Sequence, residues 1–232
     1  MLNGLGQRLD TALLSPLARN LRDRKLTYLT PTKLRVLELT LRAVSRSGIR
    51  GALLEFGVAL GGSAILIASH ADKTHPFHGY DVFGMIPPPG SDDDPRSHAR
   101  YAEIREGKSQ GIDGDIYYGY VDDLFDRVCN AMAEFGVPVD GRLVSLHPGL
   151  FEQTLDFTDP RPVAFAHIDC DWHDPVLYCL AGIRQRLVPG GRVVLDDYND
   201  YGGCRKAVDA FLARESDFKL VRRKPSAVLV RR

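Results

Sequence analysis

Short apolar segments alternate with longer amphipathic ones along the chain, and this alternation is typical of strands and helices in turn. The apolar segments are bounded by glycine, proline or charged residues, as buried strands are. They are Ala52–Phe56, Phe77–Asp81, 142–146, Val163–Ile168 and 191–195. Two near-alternating segments, 218–221 and 227–230, follow with a short basic link between them. These two are predicted to form an antiparallel hairpin.

The amphipathic segments predict the helices that connect these strands. Thr30 is placed to cap a helix with Pro31 at its first position, and Gly48 is placed to end it. Further helices are predicted over residues 63–69, 122–135, 175–187 and 203–214. The predicted fold class is therefore α/β: a doubly wound, mostly parallel seven-stranded Rossmann-like sheet with a C-terminal antiparallel hairpin. Residues 1–232 are taken as one domain.

Two parts of the chain are expected to lie outside this sheet. Residues 1–47 are interpreted as an N-terminal helical arm, which could cover the active site or a partner subunit, or lie on its own domain. The leucines near helical spacing at its start are Leu9, Leu13, Leu14, Leu17 and Leu21. Residues 84–118 are rich in proline and glycine and predict a long loop that acts as a substrate lid. The aspartate run at 92–94 is expected to be solvated surface rather than a second metal site.

Composition narrows the class of partner. The 232 residues carry 30 Lys plus Arg and 30 Asp plus Glu, so the formal net charge is zero. This balance argues against nucleic acid or an anionic membrane as the main partner. We expect a soluble, cytoplasmic protein, because there is no signal peptide and no apolar run long enough to span a bilayer. The four cysteines show no C-x-x-C pair, which is typical of reduced thiols.

The candidate chemistry lies where two apolar strands end in carboxylates. Asp169 follows the strand that ends at Ile168, with Asp171 close behind, and Asp196 and Asp197 follow the next strand. In an open α/β sheet, ligands bind at the carboxyl ends of the strands. Neighbouring parallel strands would bring these like charges together, and a cation or a proton would have to lie between them. A hard divalent cation, Mg²⁺ before Ca²⁺, fits an all-oxygen site.

A glycine-bearing turn joins the first strand to its helix. Gly57 permits a tight turn, and Gly61 with Gly62 permits backbone to approach a ligand at a helix N-terminus. Asp81 ends the second strand at about the spacing expected for an acid that holds ribose hydroxyls. The glycine spacing is not G-x-G-x-x-G, which weakens the case for a dinucleotide.

Several motifs in fixed order resemble the macrocin O-methyltransferase family of class I S-adenosylmethionine-dependent methyltransferases, over roughly residues 28–215. They are E-F-G-V-A-L-G-G-S at 55–63, Y-D-V-F-G at 80–84 with Pro87, P-G-L-F-E-Q-T-L at 148–155, I-D-C-D-W at 168–172, P-G-G-R-V-V-L-D-D-Y at 189–198, and Cys204-Arg205 in the helix that follows. The family methylates deoxysugar hydroxyls on macrolide antibiotics and related natural products.

The resemblance implies a role for each residue that matches a family motif. Asp169, Asp196 and Asp197 match the metal ligands. The set assigned to S-adenosylmethionine is Glu55, Gly57, Gly61, Ser63, Asp81 and Phe151. The chain departs from the family at residues 173–175, His-Asp-Pro, where Tyr-Glu-Ser is common. The acceptor and the general base are therefore not carried over.

The resulting hypothesis is a metal-dependent O-methyltransferase of antibiotic biosynthesis. Its acceptor would be a hydroxyl of a sugar, a cyclitol or another polyol part of a glycosylated natural product. His173 is the first choice of general base, because an unperturbed imidazole titrates near neutral pH. Asp169 acting as both ligand and base is the second choice. Asp171 could orient a ligand or the substrate, and His167 is expected to be a core histidine.

Two alternatives remain open from the sequence. One is an NAD-dependent oxidoreductase on a similar sheet, although a Tyr-x-x-x-Lys pair is missing. The other is a non-catalytic relative that binds cofactor and serves a partner protein. Whatever its function, the protein is expected to form a homo-oligomer, a dimer.

Overall fold

One seven-stranded sheet organises the computed structural model, which describes residues 11–232. The strands are β1 Ala52–Phe56, β2 Phe77–Asp81, β3 Val144–Pro148, β4 Val163–Ile168, β5 Leu187–Leu195, β6 Phe218–Arg222 and β7 Ala227–Arg231. Their order across the sheet is β3-β2-β1-β4-β5-β7-β6. β1 to β5 pair in parallel, whereas β7 runs antiparallel to both β5 and β6. The predicted α/β fold with its C-terminal hairpin is confirmed.

Helices cover both faces of this sheet. They are α1 Pro16–Asp23, α2 Pro31–Ser47, α3 Gly62–Ala68, α4 Pro95–Arg105, α5 Leu124–Glu134, α6 Phe151–Thr154, α7 His173–Ile183 and α8 Gly202–Arg214. Because successive side chains of a strand point to opposite faces, each central strand serves two cores. In β1, Leu53 packs with the apolar sides of α2, α3 and α5, while Leu54 packs with those of α7 and α8. Both faces of the sheet are therefore covered by helices. The edge where the parallel strands end remains open to ligands.

The start of α2 agrees with its sequence signature. The Thr30 side chain accepts a hydrogen bond from the backbone N–H of Lys33, and Pro31 occupies the first helical position. Gly48 ends the helix with φ of 73°, a conformation that costs glycine little. The first turn of α2, with Lys33 in it, is thereby placed beside the carboxyl edge of the sheet.

Several predicted boundaries are wrong by a few residues. The helix predicted to reach residue 187 ends at Ile183, and β5 begins at Leu187 instead of 191. The reason is pairing: Leu187 already lies opposite Val163 of β4, so the chain enters the sheet before Pro189. The strand predicted at 142–146 is displaced to Val144–Pro148 by its pairing with β2.

The prediction of an irregular loop over residues 84–118 is also wrong, because the segment contains the eleven-residue helix α4. Asp94 caps this helix by accepting from the backbone N–H of Ser97, and Pro95 follows at the first position. This is the same signature that marks Thr30 and Pro31. The segment does border the cavity described below, and its role as a lid stays a prediction.

The N-terminal arm packs on its own domain where the structure describes it. Ala18 and Leu21 of α1 are fully buried in the same core as α3. Tyr28 and Leu29, which follow α1, line the cavity at the end of the sheet. Leu9 and the rest of residues 1–10 lie outside the described residues. Over residues 11–232, none of the helices combines the length and apolar character that crossing a membrane requires.

Candidate active site

A cavity of about 600 Å³ lies at the carboxyl ends of β1, β2, β4 and β5. This volume is within the usual range for small-molecule sites. Its walls come from the turn after β1, the tips of β4 and β5, α6, the 84–118 segment and the link between α1 and α2. The position agrees with the general rule for open parallel sheets.

Three aspartates meet at one end of the cavity, and we call Asp169, Asp196 and Asp197 the strand-tip cluster. Ile168 and Leu195 lie opposite each other in β4 and β5, so the residues that follow them emerge side by side. One carboxylate oxygen from each aspartate lies within 4.8 Å of the others. The convergence that the sequence predicted is therefore present in the structure.

Few donors reach these carboxylates. Asp196 accepts from the Ser226 hydroxyl at 3.0 Å through Oδ1 and from the Lys33 ammonium at 2.5 Å through Oδ2. Asp197 accepts from the backbone N–H of Asp171 at 3.1 Å. In the described part of the chain, no hydrogen-bond donor reaches the Asp169 carboxylate.

Burial and the neighbouring negative charges raise the pKa values of these acids, and few donors are present to offset them. Burial, followed by the charge of Asp196, raises the pKa of Asp169 to about 8. The same two causes raise the pKa of Asp171 to about 6, and burial together with Asp171 and Asp169 raises the pKa of Asp197. Carboxylates that resist ionisation because of one another favour a bound cation. The donor set is all oxygen, so these residues fit Mg²⁺ or a similar hard ion.

The turn after β1 lies directly against the cluster. Gly57 has φ of +94°, and a Cβ there would come within 1.9 Å of the Asp169 carbonyl oxygen. Asp81 braces the turn, since its Oδ2 accepts from the N–H groups of Val58 at 2.6 Å and Ala59 at 2.9 Å. Only glycine at position 57 lets the turn and the β4 tip approach this closely.

The residues assigned to the cofactor divide into two groups. Gly57, Asp81 and Phe151 line the cavity. Gly61, Ser63 and Glu55 do not: the two small residues start α3, and the Glu55 carboxylate is fully buried 2.9 Å from Nδ1 of His167. Sequence spacing could not separate these groups, because whether a residue near the turn reaches the cavity depends on how the turn packs against the rest of the domain.

His173, the first choice of general base, does not line the cavity. Its backbone N–H donates to Asp93 Oδ1 at 2.8 Å, and its ring Nδ1 lies 2.6 Å from Oδ1 of Asp174. It is Asp174 that faces the cavity. His167, the expected core histidine, is fully buried against Glu55. The structure thus weighs against His173 and leaves Asp169 as the base candidate inside the cavity.

The aspartate run at 92–94 fastens the 84–118 segment to the rest of the domain, and we call it the lid clasp. Asp92 pairs with Lys206 of α8. Asp93 is buried and accepts from the N–H groups of Gly90 and His173, while Asp94 accepts from that of Gly202 at 2.8 Å. The expectation of solvated surface is therefore wrong for Asp93, because free N–H groups at the starts of α7 and α8 attract carboxylates.

Several cavity residues carried no signal that the sequence analysis used. Apart from Lys33, they form what we call the aromatic and basic wall of the cavity: Tyr28, Arg96, Arg100, Tyr117, Tyr118, Trp172 and Tyr201. The Arg96 guanidinium lies 5.5 Å from the Tyr201 ring centroid and that of Arg100 lies 5.6 Å from the Tyr117 centroid. The Asp94–Pro95 helix start could have placed both arginines, four residues apart, on one face of α4.

Comparison with known proteins identifies relatives of this chain. A sequence model of the family described as macrocin O-methyltransferase (TylF) matches residues 23–219. An 8-demethyl-8-(2,3-dimethoxy-α-L-rhamnosyl)-tetracenomycin-C 4'-O-methyltransferase of Streptomyces olivaceus is 29% identical over 182 residues. That alignment spans 77% of this chain and 64% of the relative, so this chain spans less than two thirds of the length of the relative.

Solved structures share the fold at low identity. The O-methyltransferase NovP superposes with a TM-score of 0.71 at 23% identity, over 89% of this chain and 81% of that one. TomG of Streptomyces achromogenes, an O-methyltransferase of tomaymycin synthesis solved in complex with SAM, has a TM-score of 0.54 at 18% identity. The matched region covers 96% of this chain and 89% of TomG. At these sequence identities, the superpositions support the assignment of the fold and nothing further.

Proposed function

Because the chain belongs to the macrocin O-methyltransferase family, we propose that it transfers a methyl group from S-adenosylmethionine to a hydroxyl of a sugar or polyol part of a natural product, with the help of a divalent cation. The observation that carries the proposal is the strand-tip cluster, three converging carboxylates beside a glycine turn in one cavity. The rhamnosyl tetracenomycin acceptor in the name of the Streptomyces olivaceus relative supports the choice of acceptor class.

The donor is assigned to the part of the cavity formed by the turn after β1. Gly57 and Ala59 present backbone there, and Phe151 contributes an aromatic wall that packs edge-on against Phe56 at 5.6 Å. Asp81 has its carboxylate on the turn, so it acts on the donor chiefly by holding the turn in shape. Methyl transfer is an in-line displacement, and such positioning supplies much of the rate acceleration.

The metal is assigned to the strand-tip cluster. Asp169, Asp196 and Asp197 would hold it, since they are the converging oxygen donors of the cavity. A bound divalent cation lowers the pKa of a coordinated hydroxyl, so an aliphatic alcohol could lose its proton near neutral pH. Asp169 is proposed to accept that proton on its carboxylate, because it lies in the cavity beside the other two carboxylates.

The acceptor is assigned to the aromatic and basic wall. Tyrosine rings offer an apolar face to the C–H surface of a sugar and a hydroxyl to its oxygens. Arg96 and Arg100 line the same wall and donate hydrogen bonds without ever losing their charge. The wall and the strand-tip cluster line the same cavity, so an acceptor seated against the wall could present a hydroxyl to the carboxylates.

The proposal is tested by Asp196→Asn, which keeps the shape of the side chain and removes its charge. We expect turnover to fall by more than about 100-fold, while S-adenosylhomocysteine still binds, because Asp196 lies outside the donor turn. Asp122→Asn, at an exposed aspartate, is the matched control and should keep full activity. Full activity of Asp196→Asn, or of the wild type in excess chelator, would remove the metal from the mechanism.

Calorimetry separates the two other classes of function. S-adenosylhomocysteine should bind and NAD should not, and the reverse result would favour the oxidoreductase. A non-catalytic relative need not bind metal, so the wild type should also show a thermal shift with Mg²⁺ or Mn²⁺. Donor binding without any metal response would favour the non-catalytic alternative.

A further inference from the structure

Lys33 places a positive charge inside the strand-tip cluster. Its Nζ lies 2.5 Å from Asp196 Oδ2 and 2.6 Å from Asp200 Oδ2, and the side chain is only 14% exposed. Between residues 11 and 232, no other lysine or arginine forms an ion pair with an aspartate of the cluster. The ammonium therefore provides the fixed positive charge of a site in which three carboxylates converge.

The position of this ammonium conflicts with that of a divalent cation. Both oxygens of Asp196 already accept hydrogen bonds, Oδ1 from the Ser226 hydroxyl and Oδ2 from the Lys33 ammonium. A dication and an ammonium that shared one carboxylate oxygen would repel each other strongly at such short range in a partly buried site. Lys33 has a second carboxylate within reach, because Asp200 contacts the same Nζ and is 43% exposed.

We propose that Lys33 and the divalent cation exchange at Asp196, and that Asp200 holds the Lys33 ammonium while the cation is bound. This inference rests on the metal-dependent function proposed above, and it makes Lys33 and Asp200 positioning residues that set metal affinity. Without metal, the positive charge of Lys33 offsets the mutual repulsion of the carboxylates in the cluster. With metal, the ammonium stays beside the site on Asp200 and does not return to bulk water.

Charge, not proton transfer, is the property of Lys33 that matters here. Burial alone would lower the pKa of Lys33, but hydrogen bonds and charge from Asp196 and Asp200 outweigh burial and raise it above its usual value. The side chain is therefore an ammonium throughout the neutral range and is unsuited to act as a base. Its length and its fixed origin in the first turn of α2 place the charge between the two carboxylates.

The test is Mg²⁺ and Mn²⁺ affinity, measured by calorimetry and by thermal shift on purified protein without acceptor. Lys33→Met should tighten metal binding about tenfold or more, lower the melting temperature of the metal-free protein and enlarge the metal-induced shift. Asp200→Asn should weaken metal binding several-fold, because the ammonium then has only Asp196 to pair with. Lys25→Met, at an exposed lysine that pairs with Asp113 and Asp115, is the control and should change neither value.

The double variant Lys33→Met/Asp200→Asn decides whether the two residues act together. If Asp200 acts through Lys33, the double variant should bind metal as tightly as Lys33→Met alone. If Asp200→Asn weakens binding equally in both backgrounds, Asp200 attracts the metal directly and the exchange is wrong. A wild type that binds metal while Lys33→Met is unchanged overturns the exchange and leaves the proposed function standing. A wild type that binds no metal overturns both.

A measurement on the wild-type protein tests the same exchange even if one of the variants fails to fold. Acylation of lysine amines, followed by mass spectrometry, reports how accessible each amine is and how readily it loses its proton. Saturating Mg²⁺ should increase the labelling rate of Lys33 several-fold, because the ammonium then keeps only its half-exposed partner Asp200, while Lys25 should be unaffected. Unchanged or slower labelling of Lys33 would contradict the exchange.

Discussion

The lid clasp and the strand-tip cluster are both groups of three aspartates, yet their surroundings shift the carboxyl pKa values in opposite directions. In the clasp, a hydrogen bond from Lys206 lowers the pKa of Asp92, and the backbone N–H of Ser97 lowers that of Asp94. In the cluster, burial and mutual repulsion raise the pKa of Asp169 and of Asp197. The residue type is the same, so burial and the surrounding donors together decide whether a carboxylate is stabilised or favours a bound cation.

The supply of donors follows from secondary structure. The clasp lies at the starts of α4, α7 and α8, where backbone N–H groups have no partner within the helix. The cluster lies at strand ends, where the N–H of Asp169 already donates to Phe56 and that of Asp196 to Ile168. Backbone N–H groups at helix starts therefore donate hydrogen bonds to the aspartates of the clasp. At these strand tips the backbone N–H groups are already used within the sheet, so the aspartates of the cluster have few donors.

The largest effect is expected from Gly57→Ala, which disrupts the close packing of the turn after β1 against Asp169 of the strand-tip cluster. The added methyl group would overlap the Asp169 carbonyl oxygen and require an alanine at φ of +94°. We expect a loss of roughly 3 kcal/mol or more of stability, together with loss of donor and metal binding. Chemical denaturation and calorimetry measure these effects.

Gly136→Ala is the control for backbone strain alone. Gly136 also has positive φ, at +77°, but a Cβ there meets nothing within 4 Å. This variant should lose about 1 kcal/mol and keep both ligands. If Gly57→Ala behaved in the same way, the close approach of the turn to Asp169 would have no role in the site.

A smaller effect is expected from Asp93→Ala, which breaks the lid clasp at its buried member. The N–H groups of His173 and Gly90 would lose their acceptor, at a cost of about 1–3 kcal/mol. Metal affinity should stay within about twofold, because the clasp does not touch the cluster. Asp92→Asn, at an exposed position, should change stability by less than Asp93→Ala. Loss of metal binding in Asp93→Ala would show that the two groups are not independent.

The last effect concerns pH, and its sign differs between the two groups. The pKa of Asp169 is raised from 3.8 to about 8, so the folded state binds more protons than the unfolded state between these values. This carboxyl therefore reduces stability as pH rises from about 4 to about 8 without metal. The lowered pKa values of Asp92 and Asp94 do the opposite: they add stability above pH 3.8, which is lost as pH falls.

The measurable consequence is a metal effect that depends on pH. Thermal unfolding with and without Mg²⁺ should show a shift several degrees larger at pH 8 than at pH 5, because protons compete less with the cation for Asp169 at the higher pH. Asp169→Asn should reduce this difference, and Asp92→Asn should leave it unchanged. An equal Mg²⁺ shift at both pH values would contradict the assignment of Asp169 as a buried, proton-binding ligand.

The parts of the site that the sequence predicted are those with local causes. Thr30, Pro31 and Gly48 fix α2 through capping and backbone preferences, which depend only on neighbouring residues. The ends of β4 and β5 could be predicted because apolar runs stop at charged residues. The start of α4 at Asp94 and Pro95 had the same local cause, and it was missed because the surrounding prolines and glycines favoured a loop.

By itself, the sequence determined the α/β class, the order of the strands along the chain, and the meeting of three aspartates at neighbouring strand tips. Each of these follows from periodicity, capping and the parallel geometry of the sheet. The tertiary structure alone decided that Lys33 would enter the cluster, that Asp93 would be buried on two N–H groups, and that His173 would lie outside the cavity lining. Those outcomes depend on contacts between segments far apart in the chain, which no local pattern of residues specifies.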